Sequence, residues 1–239
     1  MFSIFKKECN TFFSSSIAYL VIGVFLLVNG LYLWVFDNDL NLLNAGFADL
    51  NNYFFLAPWL FSFLISAITM RSFADEYKNG TMEILRTKPI TNWEIVLGKF
   101  FATVVLVVIA LLPTLVYIYS IYILGAPVGN IDIGSTLGSY LGLFFLIASF
   151  SAIGLFASTL STNQIVAFII GNLLIFTVFI GLETIGKTIG KKGYFLQNLG
   201  AFYHYDSFHK GVLDTRDLLY FVSLTYVFLF LTKQKLKND

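Results

Sequence analysis

The chain has 239 residues, of which 57% are hydrophobic and 12% charged, whereas soluble globular chains carry about a quarter charged residues. This composition excludes a soluble domain, and a net charge of +1 without a basic patch argues against a nucleic-acid partner. The single Cys9 excludes an intramolecular disulfide, and His204 and His209 lack the thiol or carboxylate pattern of a metal site. We therefore expect an all-α polytopic membrane protein that binds no metal.

Residues 1–15 form an amphipathic unit before the first apolar run. Helical spacing predicts a short helix on the membrane surface, and an unordered tail is the alternative. Its apolar face carries Phe2, Phe5, Cys9, Phe12 and Phe13, and its polar face carries Lys6, Lys7, Glu8 and Asn10. We expect residues 16–239 to form a single transmembrane domain.

Six apolar segments are long enough to cross about 30 Å of hydrocarbon. They are residues 17–36, 53–70, 94–124, 136–160, 165–185 and 215–232. The third is longer than the bilayer needs and is expected to bend at Pro113, and Asp214 is expected to cap the sixth. Most of the 15 basic residues fall on one side of this arrangement, which predicts that both termini are cytoplasmic.

A mixed-charge segment, residues 71–94, separates the second and third apolar runs. Asn79-Gly80 predicts a helix stop, Thr81 a cap for a second short helix, and Pro89 the end of that helix. Thr91 and Glu94 have the spacing of a capping box, with Ile90 and Ile95 as its hydrophobic staple. The segment is therefore predicted to be a cytoplasmic helix–turn–helix elbow. A plain solvated loop that joins two spans is the alternative.

The elbow carries a recognisable motif. It reads Arg71-x-Phe73-x-x-Glu76, Gly80-Thr81-x-Glu83-x-Leu85, Pro89-x-Thr91 and Leu97-Gly98-Lys99. This pattern resembles the cytoplasmic elbow of ABC-2 type exporter permeases, most of all the gliding-motility-associated permease subunit of Bacteroidetes. The similarity covers the whole chain in span count and loop order, but only residues 71–100 carry a specific motif.

In that family the elbow docks into a groove on a separate ATP-hydrolysing subunit. The resemblance thus implies an ATPase-coupling segment comprising Thr81, Glu83, Ile84, Leu85, Arg86 and Lys88, framed by Arg71, Glu76, Gly80, Pro89, Thr91 and Glu94. It also implies a second permease chain, either a copy or a different subunit, in a bacterial inner membrane. The sequence itself has no phosphate-binding loop and no catalytic set, so we expect no enzyme activity and no cofactor on this chain, with ATP on the partner.

The fourth span is rich in small residues. Close approach of another helix is expected along the ridge that contains Gly138, Gly142, Ala148, Ala152 and Gly154. The turn that follows has a second capping-box spacing, from Ser161 to Gln164. We expect Lys99, one turn into the third span, to extend its amine to the cytoplasmic surface.

Counting the spans from a cytoplasmic N-terminus places residues 187–217 outside the cell. This region nevertheless carries several lysines, so it is an exception to the rule that basic residues concentrate on the cytoplasmic side. Apolar residues within it predict short re-entrant or interfacial helices, and the resemblance agrees. Glu183 is expected to be interfacial and to pair with Lys187. Asn29 and Asn172 are expected to hydrogen-bond neighbouring helices, and a position along a substrate path is the alternative.

Two other function classes remain open. The first is an ATP-independent membrane scaffold of a motility or secretion machine. The second is a secondary carrier, which would need intramembrane ionisable residues or an inverted repeat, and the sequence contains neither.

Overall fold

A computed structural model describes residues 1–212 and 214–238, except for the side chains of Ile17, Arg86, Lys191, Lys192 and Asn238. Of the chain, 79% is helical, the described residues contain no strand, and six helices are long and apolar enough to cross a membrane. The predicted all-α fold is confirmed. The six candidate spans are Ala18–Val35, Asn51–Lys78, Asn92–Leu124, Ile133–Ser158, Gln164–Ile189 and Thr215–Lys237.

Shorter elements make up these spans and their connections. The α-helices are α1 (Phe2–Phe13), α2 (Ser16–Gly30), α3 (Asn51–Thr69), α4 (Ala74–Lys78), α5 (Thr81–Arg86), α6 (Asn92–Leu111), α7 (Val116–Leu124), α8 (Ile133–Ser158), α9 (Gln164–Phe176), α10 (Leu182–Ile189), α11 (Tyr194–Asn198), α12 (Ala201–His209) and α13 (Thr215–Asn238). A π-helical turn follows α2 and another follows α9, and 3-10 turns join α6 to α7 and α10 to α11.

Helix α8 is the centre of the bundle. It contacts α3, α6, α9, α12 and α13, and 72% of its most apolar window is buried inside the protein, against 22% for the first, fifth and sixth spans. Because those three spans are apolar as well, with a mean hydropathy of 2.1, 2.6 and 1.2, their exposed sides are a surface suited to lipid.

The small residues of α8 allow neighbouring segments of the same chain to approach closely. A Cβ atom added at Gly142 would lie 2.6 Å from Cβ of Phe208 in α12, and one at Gly154 would meet Thr69 in α3. Gly138 lies against the carbonyl of Phe208. Ala152 is buried, and Ala148 is half-buried.

One local prediction about a helix end is confirmed, and another is wrong. Asp214 caps α13 by accepting a hydrogen bond from the Arg216 N–H at 2.9 Å. A 3-10 turn, Leu112–Leu115, interrupts the third span at Pro113, while the predicted bend there stays a prediction. The capping box from Ser161 to Gln164 does not form. Asn163 is the N-cap of α9 instead, because the Gln164 amide donates to Asp75 in α4.

The region of residues 187–217 contains packed helices. Helix α12 buries Ala201, Tyr205 and Phe208, and the Tyr205 hydroxyl donates to the Phe54 carbonyl of α3 at 2.9 Å. Glu183 pairs with Lys187 at 2.5 Å as predicted, but its side chain is only 7% exposed. The carboxylate is therefore packed inside the protein, while its position at the membrane interface stays a prediction.

The expectation for Asn29 is wrong. Its amide donates to the Phe25 carbonyl of the same helix at 2.9 Å, and its Oδ1 atom is buried without a partner among the described residues. Asn172 is likewise buried, and its Oδ1 atom also lacks a partner within the described part of the chain.

Candidate functional site

The elbow lies at the end of the bundle where both ends of the described chain meet. An apolar cluster there contains Ile4 of α1, Phe73 and Met82 of the elbow, and Leu236 of α13. Gly98 permits this packing, because an added Cβ would lie 3.0 Å from Ile4. Helices α1 and α13 thus flank the elbow on the same face.

The turn in the middle of the elbow depends on Gly80. Its φ of 67° and ψ of 9° lie in the left-handed region, which glycine adopts without steric cost. Thr81 does not cap α5 as predicted; its hydroxyl donates to the Glu76 carbonyl at 3.4 Å, while Gly80 occupies the N-cap position. Helix α5 ends at Arg86, before the exposed Pro89.

The start of α6 is fixed by the predicted capping box, which is confirmed. The Glu94 N–H donates to Thr91 Oγ1 at 3.3 Å, and the Thr91 N–H donates to Glu94 Oε2 at 3.0 Å. These bonds satisfy amide groups that have no partner within the helix. The elbow therefore joins the third span at a defined angle.

Helix α4 is fastened to the α8–α9 turn. Ser158, at the end of α8, accepts hydrogen bonds from the N–H groups of Phe73 at 2.8 Å and Ala74 at 3.2 Å. The Gln164 amide at the start of α9 donates to Asp75. Both contacts hold the N-terminal half of the elbow against the central helix.

A buried ion cluster fastens α4 to α1 and α6. Lys99 Nζ lies 2.8 Å from Glu8 and 3.1 Å from Glu76, and it donates to the Ser72 carbonyl at 2.6 Å. Its side chain is 1% exposed, so the expectation that it reaches the surface is wrong. Helix α1 covers it and supplies Glu8, which satisfies the charge in place.

Lys7 extends this cluster to the surface, with its Nζ atom 3.0 Å from Glu76. Partial burial favours the neutral amine, but the hydrogen bond to Glu76 and the negative charge of that residue outweigh it. The pKa of Lys7 is therefore raised. The ion pair with Glu76 therefore stabilises the protonated form of Lys7.

Helix α5 has different surroundings. Among its described side chains Met82 is buried, Leu85 is half-buried, and Thr81, Glu83 and Ile84 are exposed. Ile84 is 60% exposed, although it lies in the most charged segment of the chain. Lys88 is also exposed. The side chain of Arg86, which completes the predicted coupling segment, lies outside the described residues.

Sequence reasoning missed two of the residues that hold the elbow, Ser158 and Glu8. The signal in the sequence was Lys99, because a lone lysine within an apolar span requires an acidic partner.

Arg71 was predicted as part of the frame and is half-buried. It makes no ion pair with any described residue. Within residues 1–212 and 214–238 no group of three His, Cys, Asp or Glu could hold a metal ion.

Comparison with known proteins identifies the family. A family model described as ABC-2 family transporter protein matches residues 3–234, which cover nearly all of α1, the elbow, the first five candidate spans and most of the sixth. A search of curated proteins finds no match. Membership implies a transport subunit without catalytic activity of its own, in partnership with an ABC ATPase subunit. The chain therefore belongs to the ABC-2 transporter family, as a multi-pass membrane permease component.

Proposed function

We propose that this chain is the permease subunit of an ATP-driven exporter and that its ATPase partner docks on α5 and the residues up to Lys88. The observation that carries the proposal is the exposure of Glu83 and Ile84 on a short helix whose neighbour, α4, is fastened to the bundle. An exposed aliphatic residue between charged ones is typical of a docking surface, because apolar anchors contribute most binding energy inside a polar rim.

The elbow has the attachments that a lever needs. Motion of a partner against α5 passes to α4 across two residues, Asn79 and Gly80. Because α4 is bonded to α1, α6, α8 and α9, the motion is delivered to several spans together. A loop with free backbone would absorb such a displacement.

The remaining parts of the proposal rest on charge and on the motif. The basic residues favour a cytoplasmic elbow and cytoplasmic termini in a bacterial inner membrane, with ATP bound by the partner. Six spans amount to half of a paired pore, so we include a second permease chain, identical or different. The elbow motif supports a role in gliding motility. The alternative is an ATP-independent scaffold, which would keep its function when ATP hydrolysis by the partner is abolished.

The docking surface is tested by charge reversal. Glu83→Lys combined with Arg86→Glu should release the ATPase from the purified complex, because truncating a desolvated interfacial charge costs about 2–5 kcal/mol. Lys237→Glu, an exposed charge reversal at the same end of the bundle, is the control and should retain the ATPase. If the double variant still co-purifies with the ATPase and supports transport, the elbow is an ordinary solvated loop.

Orientation is tested by cysteine labelling in a Cys9→Ser background. Cysteine at Phe47, which is 80% exposed between α2 and α3, should react with an impermeant reagent in intact cells. Cysteine at Asn79 should react only after permeabilisation. Labelling of Asn79 from outside would contradict a cytoplasmic elbow.

A further inference from the structure

A cavity of about 320 Å³ opens beside the elbow. Its walls come from α1, the start of α2, the end of α3, α4 and α6. The volume falls within the range of small-molecule sites, about 300–1,000 Å³. Thr81, at the start of α5, also lines the cavity, whereas Glu83, Ile84 and Lys88 of the proposed docking surface do not.

Two buried polar atoms of opposite character have no partner among the described residues, and both belong to residues that line this cavity. They are Nε of Arg71, a donor with positive charge, and Oε2 of Glu76, an acceptor with negative charge. Buried polar atoms are nearly always hydrogen-bonded in native proteins. A ligand that satisfies both must present an acceptor to Arg71 and a donor to Glu76, and an anionic acceptor and a cationic donor make the stronger, charge-assisted hydrogen bonds.

The charges around the cavity favour the same kind of ligand. Its basic lining residues are Lys7, Arg71 and Lys99, and its acidic ones are Glu8, Asp75 and Glu76. A balanced lining attracts neither a simple anion nor a simple cation strongly, whereas it complements a head that carries both charges.

An apolar groove continues from the cavity along the bundle. A second cavity of about 230 Å³ lies between α2, α3 and α9, and it shares Val21 and Ala67 with the first. From Ala18 in the first cavity to Val28 at the far end of the groove, α2 rises about 15 Å at 1.5 Å per residue. That length is half of a hydrocarbon core of about 30 Å, so the groove has the depth of a single leaflet.

We propose that the two cavities together bind one phospholipid whose zwitterionic head carries a primary amine, of the phosphatidylethanolamine class. The phosphate lies against Arg71 and the ammonium donates to Glu76, while an acyl chain occupies the groove between α2 and α3. The lipid thereby fills the space between α1, α4 and α6 and braces the elbow from the membrane side.

Lipid binding by the delipidated full-length chain, measured by native mass spectrometry with lipids of identical acyl chains, tests the head group. Phosphatidylethanolamine should be retained about tenfold more than phosphatidylcholine, since the quaternary ammonium of phosphatidylcholine has no N–H to donate to Glu76. Phosphatidylglycerol, an anion without an amine, should also bind about tenfold more weakly. Equal retention of phosphatidylcholine, or a preference for phosphatidylglycerol, would overturn the proposal without any variant being made.

Two variants test the contacts of the lipid head group and those of the acyl chain separately. Arg71→Gln should reduce the retention of phosphatidylethanolamine and of phosphatidylcholine alike, because both carry the phosphate, and Ala67→Phe, which fills the junction of the two cavities, should also reduce retention of phosphatidylethanolamine. Arg216→Gln changes an exposed arginine near the opposite end of the bundle and should leave retention unchanged.

Soluble phosphoethanolamine distinguishes a lipid from its free head. It should not displace the bound lipid at millimolar concentration, because it lacks the chain that occupies the groove. Displacement by phosphoethanolamine, together with normal retention in Ala67→Phe, would show that the site recognises a small zwitterion alone and would refute a lipid site. None of these outcomes depends on ATPase docking at α5, so the proposed function is tested separately.

Discussion

Helices α4 and α5 are neighbours in the chain, separated only by Asn79 and Gly80, yet their surroundings are opposite. Helix α4 buries Ala74 and Glu76 and is bonded to four other helices. Helix α5 buries Met82 and leaves Ile84 exposed. The contrast shows that the elbow has two halves with Gly80 at the boundary. Helix α4 is the fixed half, and α5 is the presented half, which is exposed to a partner.

Removing the charge of Lys99 should destabilise the packing of the fixed half more than any other change proposed here. Lys99→Met leaves the carboxylates of Glu8 and Glu76 without their buried partner, and breaking a buried ion pair from one side costs about 3–5 kcal/mol. The free energy of unfolding in mixed detergent micelles is the measurement. The control Lys88→Met changes an exposed residue of the presented half and should stay within about 0.5 kcal/mol. Similar losses in both variants would contradict the division.

Ser158→Ala should have the next largest effect, because the N–H groups of Phe73 and Ala74 lose their acceptor. Leaving buried donors unsatisfied costs about 1–3 kcal/mol. Ser223→Ala removes an exposed hydroxyl that bonds only within its own helix and serves as the matched control in the same unfolding assay. If the two variants were equally stable, Ser158 would not hold α4.

Gly80→Ala tests the boundary between the two helices. A Cβ there meets no atom within 4 Å, so the expected loss of about 1–2 kcal/mol comes from the left-handed backbone alone. Gly23→Ala is the control, since Gly23 lies inside α2, also with open space around it. Alanine is the better helix former by about 1 kcal/mol, so this change should not destabilise the protein. A neutral Gly80→Ala would mean that the turn is free to rearrange.

The smallest change in stability is expected in the presented half. Ile84→Asp should alter the free energy of unfolding by no more than about 0.5 kcal/mol, as for other exposed positions, while it removes the ATPase from the purified complex. If α5 is a docking surface, Ile84→Asp must lose the ATPase while the free energy of unfolding stays nearly unchanged. A destabilised Ile84→Asp would instead show that Ile84 is part of the packed bundle.

Local chemistry determined much of this protein from the sequence alone. Six apolar runs specify six candidate spans because of bilayer thickness, and the stop at Gly80, the interruption at Pro113, the Asp214 cap and the capping box at Thr91 all follow from residues within one turn of each other. The coupling segment could be proposed from its motif for the same reason, since the motif is local.

The tertiary structure decided which polar groups are satisfied and by what. Lys99 and Glu8 are 91 positions apart in the chain, and Gln164 and Asp75 are 89 apart. No local sequence pattern could therefore show that Lys99 is buried or that Gln164 bonds Asp75 and not the residues of the predicted capping box. Such pairings arise because packing removes groups from water and each must then find a partner, wherever the chain supplies one. The cavity beside Arg71 exists for the same reason: only the assembled helices enclose it.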